Sequence, residues 1–403
     1  MRPQGYIDDL TRFSVVGWAA NLDDLTTPLR FGVFVNGRGA ATITADEYRP
    51  GLEKLAEGAS GRHAFKCYFP VPLSPYQRHE VELRCTSVDL TLRMDLPALQ
   101  PPGAPRADDL YRPHGPILLT SGGRCGSTAI MEMLRRHPRI VVAGQPPYEI
   151  EMGCYYAHAL RTLTATANHE RSLRPDRITE VEQYYHIGFN PYLEPFAFES
   201  RQVMQEFVSD NVAGRVAQAF RGIILDYYQA LARQQGKSSP AAFAEKSLPE
   251  PDSRLGIRYL FGNIREIVLV RDPRDVIVSF MSHGRAPFEK ALSGAISTTR
   301  RCLQIRAVAD EGVHFLRYED FVMQPRETAE ALFRFCGLAP TPYDDAGMKQ
   351  LFVSHGTSRT PEQSIGRWRR ELTAEQLEVC LDLNGFLGAF GYDATRQPSS
   401  TER

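Results

Sequence analysis

The chain has 403 residues, 42% of them hydrophobic and 24% charged, which is the composition of an ordinary soluble globular protein with room for two or three domains. The formal net charge of -1 at pH 7 excludes broad nucleic-acid binding, which needs a basic excess, so any anion site must be local. No stretch approaches the ~18 consecutive apolar residues of a membrane helix, and residues 1–10 lack the apolar core of a secretory signal. These features predict a cytoplasmic protein.

Seven cysteines are scattered along the chain, with no CxxC pair and no metal-binding spacing. We expect the thiols to be reduced and mostly buried, and we expect no metal site. Cys125 is the candidate reactive thiol, because it lies in the glycine-containing loop described below.

Residues 1–97 have the pattern of a small all-β sandwich. Apolar residues recur at every second position in residues 31–35 and in further stretches of this region, as in half-buried strands. Asn36-Gly37 follows directly and is a strong hairpin-turn signal. Residues 98–115 hold several prolines and no periodicity, so they predict a linker to a second domain.

Residues 116–136 are the stretch around which the second domain is organised. An apolar run at residues 117–119 predicts a buried strand, the next glycines predict a sharp turn, and residues 127–136 carry apolar side chains at helical spacing. A strand, a glycine turn and a helix direct backbone N–H groups and the positive end of the helix dipole to one point. This stretch therefore predicts a site for a phosphate or a sulfate-like anion.

The polar side chains of this loop suit an anion. Arg124 adds a full positive charge, and the hydroxyls of Ser127 and Thr128 lie in the first helical turn, where they can donate to anion oxygens. The general nucleotide pattern GxxxxGK[ST] is not met, because Arg-Cys-Gly-Ser-Thr stands in place of Gly-Lys-Ser/Thr. By itself the loop is either an anion site or only a tight strand-to-helix connection.

A second candidate phosphate site follows the apolar strand predicted at residues 266–270. Arg271 lies at the end of this strand, and Asp272-Pro273 is a good helix start, which places Ser279 about two turns into the helix. An arginine and a hydroxyl placed in this way can bind one phosphate, the planar guanidinium bidentately. The alternative is an arginine that caps the neighbouring sheet through an aspartate.

Further segments give the alternating pattern of an α/β domain. Residues 139–142 and 313–318 predict strands, and residues 325–335 predict a helix. Between residues 212 and 228, apolar side chains recur at helical spacing, which predicts a long amphipathic helix with a core-facing stripe.

Two basic segments stand apart from these elements. Lys246 lies within residues 243–249, which we expect to be a short irregular stretch between helices. A Gly-Arg-Trp-Arg-Arg run at residues 366–370 precedes a capping box at residues 373–376 that begins the last helix. The run predicts a cationic flap with one large flat side chain, or else a basic surface patch with Trp368 buried for packing.

In combination, these motifs resemble the sulfotransferases that use 3′-phosphoadenosine 5′-phosphosulfate (PAPS), in particular the bacterial and tyrosylprotein-type branch. The first loop looks like their 5′-phosphosulfate loop, and the strand-end arginine with its serine is similar to their 3′-phosphate motif. The Glu-Lys pair at residues 245–246 resembles a lysine motif of that branch, and the Gly-Arg-Trp run resembles the late flap over the nucleotide. The resemblance assigns PAPS binding to Arg124, Cys125, Gly126, Ser127, Thr128, Arg271, Ser279, Gly366, Arg367 and Trp368.

The resemblance covers roughly residues 115–390 and implies an α/β fold, with a P-loop-like parallel sheet, helices on both faces, a domain at residues 116–395 and a flexible tail at residues 396–403. Cys125 departs from the family pattern, in which serine or threonine is common at this position. The N-terminal β module resembles accessory domains of bacterial glycosyltransferases, which implies carbohydrate binding or docking; an inert spacer is the alternative.

The implied reaction is an in-line transfer of a sulfuryl group to an acceptor hydroxyl, helped by positioning and by charge on the leaving oxygen. Cationic side chains suffice for this transfer, so no metal ion is expected. Arg124 and Lys246 are the candidates to stabilise the transition state and the departing phosphate.

A base must take the proton of the acceptor, and relatives with an Arg-type loop place a glutamate near residues 144–153. Glu149 is the first candidate in this sequence and Glu151 the second. A histidine such as His158 or His186 is the alternative.

Two other function classes stay open. A nucleotide-dependent kinase would use Asp272 as a Mg²⁺ ligand and a hydroxyl of the first loop, although that loop lacks the lysine of such enzymes. A non-catalytic carbohydrate-binding protein on the same fold is the other. We expect the acceptor to be a saccharide or a glycolipid, from the β module alone, and its specificity to lie in irregular segments such as residues 153–199.

Overall fold

The computed structural model describes residues 2–56, 58–69, 73–99, 116–164, 207–284, 286–345, 347–348, 358 and 360–394. Most of the predicted linker and the predicted tail at residues 396–403 lie outside these residues. The contacts group the chain into two compact units, one of residues 1–103 with 158–217, the other of residues 104–157 with 218–403.

The first unit contains the predicted β sandwich, built from two four-stranded antiparallel sheets. Its strands are β1 (Pro3–Leu10), β2 (Ser14–Asn21), β3 (Arg30–Val35), β4 (Arg38–Thr44), β5 (Glu47–Tyr48), β6 (Arg62–Tyr68), β7 (His79–Cys85) and β8 (Thr91–Leu96). The order is β1-β2-β6-β5 in one sheet and β4-β3-β7-β8 in the other. A 3₁₀ turn at Leu52–Lys54 joins β5 to β6.

The alternating pattern of the sequence determines which side chains fill this sandwich. Val15 and Phe65 from the first sheet and Phe31 and Val33 from the second lie in one hydrophobic core. The rings of Phe31 and Phe65 are 6.0 Å apart between their centres. The predicted hairpin is confirmed: Asn36 and Gly37, with φ of 51° and 75°, join β3 to β4 in the left-handed region that a tight two-residue turn requires.

The second unit is built on a five-stranded parallel sheet of order β10-β11-β9-β12-β13. Its strands are β9 (Ile117–Ser121), β10 (Ile140–Val142), β11 (Ala242–Ser247), β12 (Arg265–Val270) and β13 (Val313–Arg317). β9 lies at the centre, where Leu119 pairs with Lys246 on one side and with Ile267 on the other. The chain reverses its direction of winding at β9, so the loop after β9 lies at the switch point where open α/β sheets bind ligands.

The described helices are α1 (Ser127–Arg136), α2 (Met152–Thr164), α3 (Gly214–Gln234), α4 (Pro251–Phe261), α5 (Pro273–Gly284), α6 (Phe288–Ala307), α7 (Tyr318–Met323), α8 (Pro325–Phe335), α9 (Trp368–Glu371), α10 (Ala374–Val379) and α11 (Asn384–Ala389). A π-helical turn at Val208–Ala213 precedes α3, and 3₁₀ turns lie at Glu362–Ser364 and Cys380–Leu383. The capping box predicted for α10 is present: Gln376 N–H donates to Thr373 Oγ1 and Thr373 N–H to Gln376 Oε1.

Helices cover both faces of the parallel sheet, as predicted. Successive residues of β12 point to opposite faces, so Ile267 and Leu269 pack in a core with α1 and α8, whereas Val268 and Val270 pack in a core with α5, α6 and α11. These strand residues are at most 2% exposed, which explains why their sequence is a continuous apolar run.

Two sequence expectations are wrong. Lys246 does not lie in an irregular stretch: it belongs to β11, an internal strand paired with both β9 and β10. The charged pair Glu245-Lys246 interrupts the apolar pattern by which a buried strand is recognised in a sequence. The strand forms because β9 and β10 pair with it on both sides. Residues 153–164, expected to be irregular, belong to α2; the rest of that acceptor segment, residues 165–199, lies outside the described residues.

None of the described helices is long and apolar enough to cross a membrane. Within the described part of the chain, no cluster of three or more His, Cys, Asp or Glu side chains could hold a metal ion. The seven cysteines are free thiols, and six of them are buried, as predicted.

Candidate active site

The loop between β9 and α1 turns sharply through left-handed backbone. Arg124 has φ of 64° and Gly126 has φ of 95°. A Cβ atom at residue 126 would lie 2.4 Å from the Tyr318 ring, so only glycine fits between this turn and α7. The strand, turn and helix therefore form as the sequence predicts.

The N–H groups of residues 124–128 have no hydrogen-bond partner among the described residues. Five successive donors at the start of a ten-residue helix form a concave cradle with positive potential. The hydroxyl-bearing residues Ser127 and Thr128 are half-buried beside it. This is the arrangement that binds a phosphate or sulfate group.

Two cations converge on this loop. Arg124 Nε donates to Ser279 Oγ at 3.2 Å, and Arg271 Nη1 donates to Arg124 O at 2.9 Å. Burial lowers the pKa of Arg124, and the neighbouring Arg271 cation lowers it further. The structure thus brings together Arg124 with Arg271 and Ser279, which lie 147 and 155 positions further along the chain.

Arg271 is 6% exposed and is held at three points. Besides its bond to the loop, its Nη2 donates to Ser364 O at 2.6 Å, and its guanidinium lies 4.6 Å above the Tyr318 ring centre. Its Nε is buried without a hydrogen-bond partner among the described residues. Arg271 binds backbone carbonyls and not an aspartate, so the sheet-capping alternative is not what the structure shows.

Asp272 and Arg274 form a buried ion pair, with Arg274 Nη2 2.7 Å from Asp272 Oδ2. Arg274 Nε donates to the other oxygen, Asp272 Oδ1, at 2.9 Å. Both carboxylate oxygens are therefore engaged by a cation, which disfavours Asp272 as a Mg²⁺ ligand.

Asp275 binds the predicted flap, residues 366–370, through two hydrogen bonds. Its two carboxylate oxygens accept hydrogen bonds from Gly366 N at 2.7 Å and from Trp368 N at 3.0 Å. Burial raises the pKa of Asp275, and Arg271 and these two N–H groups counteract that effect. The sequence analysis identified the flap and the Arg-Asp-Pro-Arg-Asp motif separately but missed that Asp275 joins them.

The large side chains of the flap are engaged with the protein itself. Trp368 stacks against Arg274, with the guanidinium 3.7 Å from the ring centre. Arg367 Nε donates to Glu371 Oε1 at 2.8 Å, and its Nη2 donates to Ser282 Oγ at 2.7 Å. Gly366 is therefore held by Asp275, and the Arg367 guanidinium points to Glu371 and Ser282.

A second group of polar residues lies where β11 ends at the carboxyl edge of the sheet. Lys246 Nζ donates to Glu149 Oε1 at 2.9 Å and to Pro147 O at 3.0 Å. The Glu149 side chain is 66% exposed, whereas that of Lys246 is 12% exposed. Burial raises the pKa of the other candidate base, Glu151, and the Lys246 cation counteracts that effect.

Two buried carboxylates support these residues: Glu245, which the sequence analysis named only as part of a motif, and Glu132, which it missed. Glu245 accepts hydrogen bonds from Gly153 N at 2.8 Å and from Tyr228 Oη at 2.6 Å, and burial raises its pKa to about 7. It thereby holds the start of α2 against β11. For Glu132, the sequence signal is an acidic residue among the apolar positions of α1.

The other carboxylate, Glu132, holds the loop that carries Glu149. Arg135 Nε donates to Glu132 Oε2 at 2.7 Å, and the hydroxyl of Tyr148 also donates to this carboxylate. Burial alone would raise the pKa of Glu132, but the hydrogen bonds of Arg135 and Tyr148 lower it to about 2. Tyr148 is buried and has a left-handed φ of 62°, so the neighbouring Glu149 is directed outward.

Three candidates remain. Cys125 is buried and lines a cavity with Arg271 and Cys302. Burial raises the pKa of Cys125 to about 12, which disfavours the thiolate near neutral pH. Reactivity of this thiol stays a prediction that its burial argues against. His158 lies on α2, where burial lowers its pKa, and His186 lies outside the described residues.

A family model described as the sulfotransferase family matches residues 116–343, more than half of the chain. The chain therefore belongs to the sulfotransferase family, as the motifs predicted. The matched region begins at the residue before β9 and includes the loop, Lys246, Arg271 and Ser279.

Solved structures of sulfotransferases resemble the chain at low identity. The sulfotransferase domain of the Synechococcus PCC 7002 olefin synthase is 21% identical, with a TM-score of 0.45 over 73% of this chain and 98% of that chain. Sulfotransferase STF9 from Mycobacterium avium is 15% identical, with a TM-score of 0.36 over 72% and 80%. Mouse sulfotransferase SULT7A1, complexed with PAP, is 11% identical, with a TM-score of 0.34 over 70% and 90%. No curated protein sequence matches the chain.

Proposed function

We propose that this protein transfers the sulfuryl group of PAPS to a hydroxyl of a saccharide or glycolipid. The observation that carries the donor half is the cradle of N–H groups at residues 124–128, which have no hydrogen-bond partner in the described part of the chain and lie beside two arginines. A nucleotide with phosphates at both the 5′ and the 3′ position would place one charge in the cradle and the other at Arg271. The buried Nε of Arg271, which lacks a partner among the described residues, supports this assignment.

PAPS supplies an activated sulfur–oxygen bond whose leaving group is a phosphate. The loop N–H groups, Ser127 and Thr128 bind the 5′-phosphosulfate, and Arg271 with Ser279 binds the 3′-phosphate. Arg124 and Lys246 stabilise the charge that develops on the departing oxygen. No metal ion is needed for these roles.

On the acceptor side, Glu149 accepts the hydroxyl proton as the acceptor oxygen bonds to sulfur and the bond from sulfur to the phosphate oxygen breaks. The contact with Lys246 supports this role, because Lys246 Nζ donates to Glu149 Oε1 at 2.9 Å and so holds the carboxylate beside the second cation. Glu151, half-buried two residues further on, is the alternative base.

The N-terminal sandwich supports a carbohydrate-bearing acceptor only through its resemblance to accessory modules of glycosyltransferases. Binding of the saccharide by this unit stays a prediction, as does the cytoplasmic location of the protein. The domain division at residues 1–97, 98–115 and 116–395 is likewise proposed.

The test is donor recognition without metal, followed by transfer. In the presence of EDTA, adenosine 3′,5′-bisphosphate should raise the melting temperature more than adenosine 5′-phosphate does. In a separate sample without EDTA, ATP with Mg²⁺ should have a smaller effect. Radiolabelled sulfate should then move from PAPS to members of a glycan and glycolipid panel. Stabilisation by ATP only with Mg²⁺ would favour the kinase alternative, and nucleotide binding without any transfer would favour the non-catalytic one.

A further inference from the structure

Large apolar side chains are exposed around the Glu149–Lys246 pair. Ile150 is 40% exposed, Leu248 is 53% exposed and Tyr155 is 67% exposed. Exposed large apolar residues are unremarkable when single, but a contiguous group beside reactive groups marks a binding surface.

Side-chain contacts between the two chain segments that carry these three residues place them together. Lys246 Nζ reaches Pro147 O and Glu149 Oε1, and Cys154 Sγ lies 3.3 Å from Ser247 Oγ. Residues 147–154 therefore run alongside residues 246–247. Ile150 and Leu248 are each within two residues of such a contact, and Tyr155 is adjacent to one.

Aromatic contacts extend the surface from α2 to α3. The Tyr155 and Tyr156 ring centres are 5.2 Å apart, and those of Tyr156 and Phe220 are 4.9 Å apart. Ile223 lies one turn beyond Phe220 on α3 and is 45% exposed. The sequence predicted this stripe of α3 to be core, but only its other side, with Ile224 and Tyr228, is fully buried. We define the apolar surface as Ile150, Tyr155, Tyr156, Phe220, Ile223 and Leu248.

The apolar surface lies directly beside the polar pair Glu149–Lys246. The apolar surface begins at Ile150, the residue next to Glu149, and ends at Ile223 on α3. An acceptor whose hydroxyl reaches Glu149 and Lys246 therefore has its adjoining atoms on the apolar surface. A free saccharide would leave this surface exposed to water, whereas an alkyl or aryl group would bury it.

Resting on the proposed function, we propose that the acceptor is a glycolipid-type amphiphile: the sulfated hydroxyl lies on the polar head group, and the alkyl or aryl group lies on the apolar surface. The occupant is the acceptor, because the surface is continuous with the residues assigned to its proton transfer. Burial of the alkyl or aryl group on the apolar surface makes an alkylated sugar bind more tightly than the free sugar.

The test compares methyl and octyl glycosides of glucose, galactose and mannose, below their micelle concentrations, with the full chain saturated with adenosine 3′,5′-bisphosphate. Calorimetric binding should be at least about tenfold tighter for the octyl member of a pair, since burial of two CH₂ groups gives that factor. Tyr155→Ser and Leu248→Ser should each reduce this preference to within about threefold. The control is Val308→Ser: this side chain is 75% exposed and lies just before β13, toward the amino edge of the sheet.

Equal binding of methyl and octyl glycosides by the parental protein overturns the inference, as does a preference that survives both substitutions or that Val308→Ser also removes. Adenosine 3′,5′-bisphosphate binding should be unchanged in all variants, which shows that they fold. Transfer from PAPS separates the two proposals. An octyl preference in binding without transfer to any glycoside contradicts the proposed saccharide acceptor but not the apolar surface, whereas transfer without chain-length preference contradicts only the apolar surface.

Discussion

At the scale of single residues, the site depends on two arginines held next to each other. Arg271 Nη1 donates to the backbone oxygen of Arg124 at 2.9 Å, and burial and then the Arg271 cation lower the pKa of Arg124. The two positive charges therefore repel each other, and phosphate groups bound beside them should reduce that repulsion. We expect a phosphate-bearing ligand to stabilise the folded protein.

Arg271→Ala should weaken binding of adenosine 3′,5′-bisphosphate about ten- to a hundredfold, because a charge-assisted bidentate contact contributes roughly 1.5 to 3 kcal/mol. Binding of adenosine 5′-phosphosulfate, which has no 3′-phosphate, should change much less. Titration calorimetry with both ligands measures the difference. Arg326→Ala is the control, since its side chain is 66% exposed and pairs with Asp345 at the surface. Equal losses for both nucleotides would remove the 3′-phosphate assignment.

Glu149→Gln should lower the single-turnover rate of sulfuryl transfer by roughly 10² to 10⁴, because glutamine keeps the shape of the side chain but cannot take the proton. Nucleotide affinity should stay within about twofold, whereas Lys246→Ala should lower both the rate and the donor affinity.

Glu151→Gln is the matched control for this prediction, and it should retain most of the activity. If it is the inactive variant, Glu151 is the base, and burial, which raises its pKa, would place the acidic limb of the pH–rate profile above the range of an ordinary glutamate. If both variants stay active, the base lies elsewhere, for example at His158.

At the scale of elements, a buried carboxylate ties the central strands to a helix. Glu266 on β12 is fully buried, accepts a hydrogen bond from Thr120 Oγ1 on β9 at 2.6 Å and pairs with Arg254 Nη2 on α4 at 2.7 Å. The side chain of Arg258 is a third partner, at 3.5 Å. Because β9 leads into the phosphate loop, this network supports the site without contacting it.

Arg254→Met should lower the free energy of unfolding by about 3 kcal/mol, near the lower end for a broken buried pair, because Thr120 and Arg258 remain as partners of Glu266. Denaturant unfolding at pH 7 measures the loss. The double variant Arg254→Met/Glu266→Leu should recover most of it, since no buried charge is then left unpaired. A double variant as unstable as the single one would show that the loss comes from packing of α4.

At the scale of the whole molecule, the two units have separate hydrophobic cores. The sandwich core is formed by residues between Ile7 and Leu96, and the two cores of the sheet begin at Ile117. Residues 158–217 group with the first unit, although the chain on both sides of them belongs to the second. The chain thus passes from one unit to the other more than once.

Cutting the chain at a protease site inserted within residues 101–112 should leave the part from about residue 113 folded and able to bind adenosine 3′,5′-bisphosphate, because each unit has its own core. Thermal shift with the nucleotide, after removal of the N-terminal piece, measures this. Loss of binding would mean that residues 158–217 need the sandwich, and that the two units fold as one.

The sequence alone determined the local elements of the site. The turn before α1, the strand-end Arg271 and the capping box of α10 were predicted because each depends on residues a few positions apart: glycines that adopt positive φ, an Asp-Pro helix start, a Thr and a Gln three residues apart. The same local signals, in family order, predicted the sulfotransferase family.

Only the tertiary structure decided how these local pieces combine. Lys246 became a strand residue because β9 and β10 pair with it from both sides, and Asp275 became the anchor of a flap 91 residues away. The burial of Cys125 and the exposure of Tyr155 likewise depend on side chains distant in sequence. The fold determines which groups lie within a few ångströms of each other, and these neighbours determine hydrogen bonding, desolvation and charge pairing. A local sequence pattern does not contain this information, because the neighbours are distant in sequence.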